Sequence, residues 1–237
     1  MSSEPSFQEN HSGIGSLNES SFHAALKRHY CGEDAQVEML VAGFVIDIID
    51  GPQLIEIQTG SFSAIRNKLY RLLEQYPVKL VYPITGERWL VKLPQSKGFE
   101  LVRRKSPKNE CLYDIFNELV SFPKIFHNKR FTLEIAVTAE EEVRQYSGKR
   151  PWRRNGWEIV DRRLIKVLRT HLFKTTEDFC VFLPETLPVE FTTQDLAQHA
   201  QISRRLAQKT IYCLCKMGEI ILVGKRARFL LYRRRSE

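Results

Sequence analysis

A chain of 237 residues can hold one large domain or two of modest size. Its 43% apolar and 27% charged residues belong to an ordinary globular protein, and its formal net charge is +8. No apolar run approaches the roughly 18 residues of a membrane span, and the polar N-terminus lacks the apolar core of a signal peptide, so a soluble, cytoplasmic chain is expected. The five cysteines (Cys31, Cys111, Cys180, Cys213 and Cys215) are odd in number and contain no C-x-x-C pair, which reads as reduced thiols rather than a disulfide framework or a zinc site.

The charge is divided unevenly. Residues 1–143 carry 16 Lys and Arg against 19 Asp and Glu, whereas residues 144–237 carry 20 against 9. A basic half joined to a mildly acidic one fits a nucleic-acid partner for the basic half.

In chain order, residues 1–14 are polar and Gly-containing and read as a disordered tail. Residues 16–30 form a helix, with Phe22, Ala25, Leu26 and Tyr30 at helical spacing and Ser16 or Asn18 as cap. Strands follow at 37–41, 44–49 and 53–59, punctuated by Gly43 and Gly51-Pro52. Ser61 or Ser63 caps a second helix, which Pro77 closes. Residues 78–84 are a continuous apolar run, as in a strand buried on both faces. Further strands are expected at 87–93 and 131–137, with a short helix at 112–120. Helix, three strands, helix, strand is an α/β order with a mixed sheet flanked by helices.

Residues 144–158 are basic and rich in Gly and Pro, and read as a linker between a domain at 15–143 and one at 159–237. In the second domain, apolar spacing predicts a helix at 161–172. Two threonines open another helix near 193, and Ser203 caps a third that stops at Gly218. Strands at 219–223 and 227–232 around Gly224-Lys225-Arg226 complete a winged helix-turn-helix pattern.

Chemistry concentrates in the hairpin at 44–58. With its turn at Gly51-Pro52, Asp50 faces Gln53 and Asp47 faces Glu56. Opposed carboxylates repel, so a cation between them is expected. Asp47, Glu56 and the Ile57 carbonyl are hard oxygen ligands of the kind Mg²⁺ or Mn²⁺ takes. Glu19 on the first helix, with His23 one turn on, approaches this pair if the helix packs its apolar stripe on the sheet. A plainer reading makes Asp47 and Asp50 turn residues and Glu56 an edge charge.

An acid on the first helix, Asp47, then Glu56-x-Gln58 at the end of the next strand, followed by a helix and an apolar strand, resembles the PD-(D/E)XK, restriction-endonuclease-like nucleases over roughly residues 16–93. The resemblance implies a Mg²⁺-dependent endonuclease in which Asp47 and Glu56 hold the metal and Glu19 assists. The family's last motif residue is usually Lys; here it is Gln58, which orients a water through its amide but carries no charge. Lys68 on the second helix, ahead of Arg66, is the candidate for a displaced basic group, unless it is a solvated helix residue. Loss of catalysis, leaving a binding scaffold, is the remaining alternative.

In the basic half, the helix from Ser203 buries Ala207, Ile211 and Leu214 and turns Arg204, Arg205, Gln208 and Lys209 outward. In a winged helix this face reads DNA bases and phosphates, with Lys225, Arg226 and Arg228 on the wing, unless the winged helix is used for protein contact instead. Arg103-Arg104-Lys105 and Trp152-Arg153-Arg154 are further basic runs. The combination resembles TnsA-type transposon endonuclease subunits. It implies DNA as partner, with a transposase, defence-system or other protein subunit, or a second copy of the chain, beside it.

Overall fold

The computed structural model describes residues 20–94, 101–148 and 156–235. The expected tail at 1–14, Glu19, and the Trp152-Arg153-Arg154 run lie outside the described residues. The architecture is α/β, built on a seven-stranded sheet whose principal order is β1-β2-β3-β4-β6-β7, with β5 pairing β4.

Helix α1 (Ser21–Tyr30) is capped by Ser20, whose hydroxyl accepts the His23 amide, rather than by Ser16 or Asn18. Then come β1 (Gln36–Val41), β2 (Phe44–Asp50), β3 (Gln53–Ile57), α2 (Phe62–Leu73) and β4 (Val78–Lys92). Strands β3 and β4 are neighbours joined through α2, the helical crossover that parallel strands require. Expected as two strands, β4 is one strand of 15 residues running through Pro83 and Gly86. Gly86 marks close packing, not a break. A β-carbon there would lie 2.6 Å from the Val137 side chain.

Strand β5 (Val102–Lys105) pairs β4 antiparallel, with Arg103 opposite Val91. The Arg103 guanidinium stacks on Trp89 and its Nε donates to Glu141, while Lys105 pairs with Glu87, so these two cations of the run are engaged within the protein. After a 3-10 turn at Leu112–Ile115 come α3 (Phe116–Leu119) and β6 (Phe131–Tyr146).

The largest departure from the sequence reading is β7 (Trp157–Phe173), a strand of 17 residues where a helix is expected over 161–172. The apolar residues at 164, 165, 167, 168 and 172 suit helical spacing. Ile159, Val160, Ile165, Val167 and Thr170 are β-branched, however, and pairing beside β6 settles the choice. The segment at 144–158 therefore joins two neighbouring strands of one sheet. The Ser147 amide donates to the Gly156 carbonyl at 2.9 Å across this connection.

Two compact units interleave along the chain. The first comprises Met1–Thr59, Val81–Cys111 and Ile135–His171; the second comprises Gly60–Leu80, Leu112–Glu134 and Leu172–Glu237. Compactness thus divides the chain elsewhere than at 143 and 159. In the first unit, Phe22 and Leu26 of α1 pack on Ile48, Ile55, Ile57, Val81 and Ala136. In the second, Phe116, Phe126, Phe173, Phe179 and Phe182 form an aromatic cluster, with the Phe126 and Phe179 centroids 4.6 Å apart. Burying each such ring contributes about 2–3 kcal/mol.

The second unit continues with β8 (Glu190–Phe191), α4 (Thr193–His199), α5 (Arg204–Met217), β9 (Ile220–Arg226) and β10 (Phe229–Arg234), the strands ordered β8-β10-β9. Gly218 ends α5 with φ 90°. The hairpin turns at Ala227-Arg228, with Ala227 at φ 54°, so Gly224, Lys225 and Arg226 belong to β9 instead of forming the turn. A 3-10 segment, Glu177–Phe182, precedes β8.

Thr192 and Asp195 form a reciprocal capping box at α4: the Thr192 hydroxyl accepts the Asp195 amide and the Asp195 carboxylate accepts the Thr192 amide. Thr192→Ala should cost about 1 kcal/mol, because the Asp195 amide then loses its acceptor at a buried helix start. Urea denaturation at constant m-value checks this.

Candidate functional site

Strand β2 carries the site residue Asp47, and β3 carries Glu56 with Gln58 just beyond it. The hairpin register is the expected one: Asp50 faces Gln53, Ile49 faces Leu54 and Ile48 faces Ile55. One residue further, the Asp47 Oδ2 accepts the Ile57 amide at 2.8 Å, so the carboxylate takes the place of a backbone acceptor. Glu56 is 5% exposed. It alternates with Ile55 and Ile57, which pack against α1, and so leaves β3 on the other face. Gln58 is half-buried, and its amide donates to the Val81 carbonyl at 2.9 Å.

Helix α1 presents a polar edge to the same strands. His23 Nε2 lies 3.3 Å from Asp47 Oδ1, and Lys27 Nζ lies 2.6 Å from Glu38 Oε1. His23 and Lys27 are four residues apart and share a helix face. Their partners also correspond. Pairing of Val37 with Ile48 and of Met39 with Ile46 places Glu38 opposite Asp47 across β1 and β2. Glu38 adopts a left-handed backbone, φ 56°, which carries strain for a residue with a β-carbon. The sequence reading missed Glu38 and Lys27. Their signal was the Lys27 position one turn after His23.

Lys68 is half-buried on α2 and belongs to the second unit, as does Arg66, which stacks on Tyr70. Among the described residues, no group of three or more His, Cys, Asp and Glu is disposed to hold a metal ion. Mg²⁺ commonly takes one or two carboxylates and keeps several waters, so Asp47 and Glu56 are the hard oxygen donors this hairpin could offer it. Asp47 retains acceptor capacity beyond the Ile57 amide, since an ionised carboxylate offers about four lone-pair sites.

A second polar cluster was not foreseen. Glu140 on β6 is 0% exposed. Its Oε1 accepts Arg88 Nε at 2.8 Å and its Oε2 accepts the Arg162 guanidinium. Arg88 also donates to Thr85 Oγ1 at 2.9 Å, and Arg162 stacks on the Phe22 ring at 4.5 Å. Glu140 thus joins β4, β6 and β7 beneath α1.

In the second unit, α5 buries Leu206, Ala207, Thr210, Ile211, Cys213, Leu214 and Met217. It exposes Arg204, Arg205 and Gln208. Arg204 and Arg228 both approach the Phe229 ring, at 5.8 and 5.3 Å, which brings the helix start and the hairpin tip together, while Lys225 is exposed on β9 opposite Leu230. Two expected contact residues have internal partners. Lys209 Nζ donates to Asn117 Oδ1 at 2.7 Å, and Arg226 reaches Asp195 Oδ2 at 3.2 Å and the Glu190 carbonyl at 3.0 Å. Burial pushes the Cys213 thiol up to about 12; burial, then the Glu219 carboxylate, pushes Cys180 up to about 11. At these values both thiols are protonated near neutral pH.

The fold is α/β, with a first helix packed on a β2–β3 hairpin whose strands carry Asp47 and Glu56. The chain belongs to the family described as a domain of unknown function, DUF8091, whose model matches residues 20–174. It is similar to an uncharacterized protein of Treponema pallidum (strain Nichols), 27% identical over 228 residues, covering 93% of this chain and 87% of that protein. No solved structure matches the chain. No helix among the described residues is long and apolar enough to cross a membrane.

Proposed function

We propose that the protein is a divalent-metal-dependent endonuclease that hydrolyses phosphodiester bonds in DNA. The observation that carries this reading is the placement of Asp47 and Glu56-x-Gln58 on adjacent strands, in the order α1-β1-β2-β3-α2-β4, with Asp47 fixed by the Ile57 amide. That order is the one expected of a restriction-endonuclease-like core. Asp47, Glu56 and the Ile57 carbonyl would hold Mg²⁺ or Mn²⁺. A bound ion there supplies Lewis-acid polarisation of a phosphoryl oxygen and a more acidic water.

The chain's own groups do the rest. The Ile57 amide sets the orientation of the Asp47 carboxylate, and His23 steadies its other oxygen. Gln58 orients a water by accepting its hydrogen at the amide oxygen and donating from the amide nitrogen. The segment β8-α4-α5-β9-β10 is read as a winged helix-turn-helix in which the 3-10 segment stands where the first helix would be. Arg204, Arg205, Gln208, Lys225 and Arg228 would meet the duplex.

A second reading, a DNA-binding protein or complex subunit without catalysis, is favoured by one observation: Gln58 stands where a cationic lysine would serve. Incubating the chain with supercoiled plasmid and Mg²⁺ or Mn²⁺ separates the two. The nuclease reading expects nicked circles. Duplex binding without nicking supports the second.

The basic surface has its own test. The double variant Arg204→Ala/Arg205→Ala should weaken duplex binding and reduce the slope of log affinity against log salt by about 2, the value for two lost phosphate contacts. Fluorescence anisotropy across a salt series measures it. Arg226→Ala should mainly lower stability, since Arg226 ties β9 to the α4 cap.

A further inference from the structure

β7 lies at one end of the sheet order, and among the described residues no strand pairs with its outer edge. The opposite edge is protected. β1 has only six residues and is distorted at left-handed Glu38. β7 has no such guard. It runs for 17 residues without Pro or Gly and exposes Val160 (49%), Ile165 (43%) and Leu168 (39%). A long, unpaired edge that exposes apolar residues is a template for another strand.

The charges on β7 select the partner. Glu158, Asp161, Arg162 and Arg163 lie in its first half, Lys166 and Arg169 in its second. When β7 is laid antiparallel on its own copy with Ile165 opposite Ile165, Asp161 faces Arg169 twice. Arg163 then faces Val167, Lys166 faces Leu164, and no like charges are opposed. Moving the centre to Lys166 sets Arg163 against Arg169; moving it to Leu164 sets Arg162 against Lys166. Opposite residues share a face in this arrangement, as the pleat requires.

We propose that the protein self-associates through β7 as a two-fold dimer centred on Ile165, extending the sheet across two copies. The contact is isologous and closed, so it removes the open edge without building a fibre. Asp161 enters it from an ion pair with Arg163 at 2.9 Å, and Arg162 stays turned to Glu140.

Sedimentation velocity on the full chain tests the proposal. The wild type should sediment at twice the chain mass. Asp161→Lys and Arg169→Glu should each weaken association on the order of tenfold, because each then opposes like charges at both ends of the contact. Mixing the two variants in equal amounts restores opposite charges at both positions and should restore the dimer. Ile165→Lys, which opposes two ammonium groups at the centre, should give monomer with an unchanged circular dichroism spectrum. A monomeric wild type at its highest soluble concentration overturns the proposal. So does a dimer indifferent to both charge variants, or a mixture that stays monomeric.

Discussion

Replacing Glu140 with alanine should lower the free energy of unfolding by about 3 kcal/mol, the low end of the range for breaking a buried ion pair from one side. The carboxylate is fully buried, and both of its oxygens accept arginine hydrogens, from Arg88 on β4 and Arg162 on β7. Removing it takes the shared acceptor from both guanidinium groups, although Arg88 keeps Thr85 and the Glu110 and Glu142 carboxylates nearby. Arg88 and Arg162 are partly solvent-exposed, so some of the penalty is relieved by water, which sets the value at the lower end. The outer pair Arg103–Glu141 is the control. Glu141→Ala should cost no more than about 0.5 kcal/mol, as expected of an exposed pair. Equilibrium urea unfolding of the two variants makes the comparison, and equal losses would show that Glu140 is not the tie between the strands.

Asp47→Asn should cut phosphodiester cleavage by at least roughly a hundredfold, about 2.7 kcal/mol of transition-state stabilisation. The change is chosen to separate charge from fold. An asparagine oxygen can still accept the Ile57 amide, so the end of the β2–β3 ladder is kept and the thermal midpoint should stay close to that of the wild type. What is lost is one hard anionic ligand and the partner of His23. If the variant cleaves as well as the wild type, Asp47 is a structural ladder acceptor and nothing more. If it unfolds, its role in the hairpin outweighs any chemistry, and Glu56→Gln becomes the sharper probe.

Local chemistry was legible in the sequence where it is decided within a few residues. The hairpin register through Ile48–Ile55 followed from the Gly51-Pro52 turn and strict alternation. The cap at Ser203 and the stop at Gly218 followed from short-range hydrogen bonding and left-handed backbone, and the caps at Ser61 and Thr192 were narrowed to two neighbouring hydroxyls each. What was not legible depends on partners far away in the chain. β7 was read as a helix because its apolar residues suit both periods, and the choice is made by β6. β4 was cut in two because Gly86 looks like a break until Val137 is known to press on it. Glu140 gave no local sign of its role: Arg88 and Arg162 lie 52 and 22 residues away. Within the site, Asp47 and Glu56 stood out as acids in apolar strands. His23 was placed near them from its position on the first helix, whereas the Lys27–Glu38 pair became meaningful only once α1 was seated on the sheet.

The acid pair is the centre of the account, and divalent-ion binding tests it without relying on turnover. Mn²⁺ titrated into the wild type, Asp47→Asn and Glu56→Gln, with free ion followed by electron paramagnetic resonance, gives the affinity of each. Saturable binding by the wild type that weakens by about tenfold or more in both variants is the expected result. Equal binding by all three proteins, or none by the wild type, would contradict a metal site between β2 and β3.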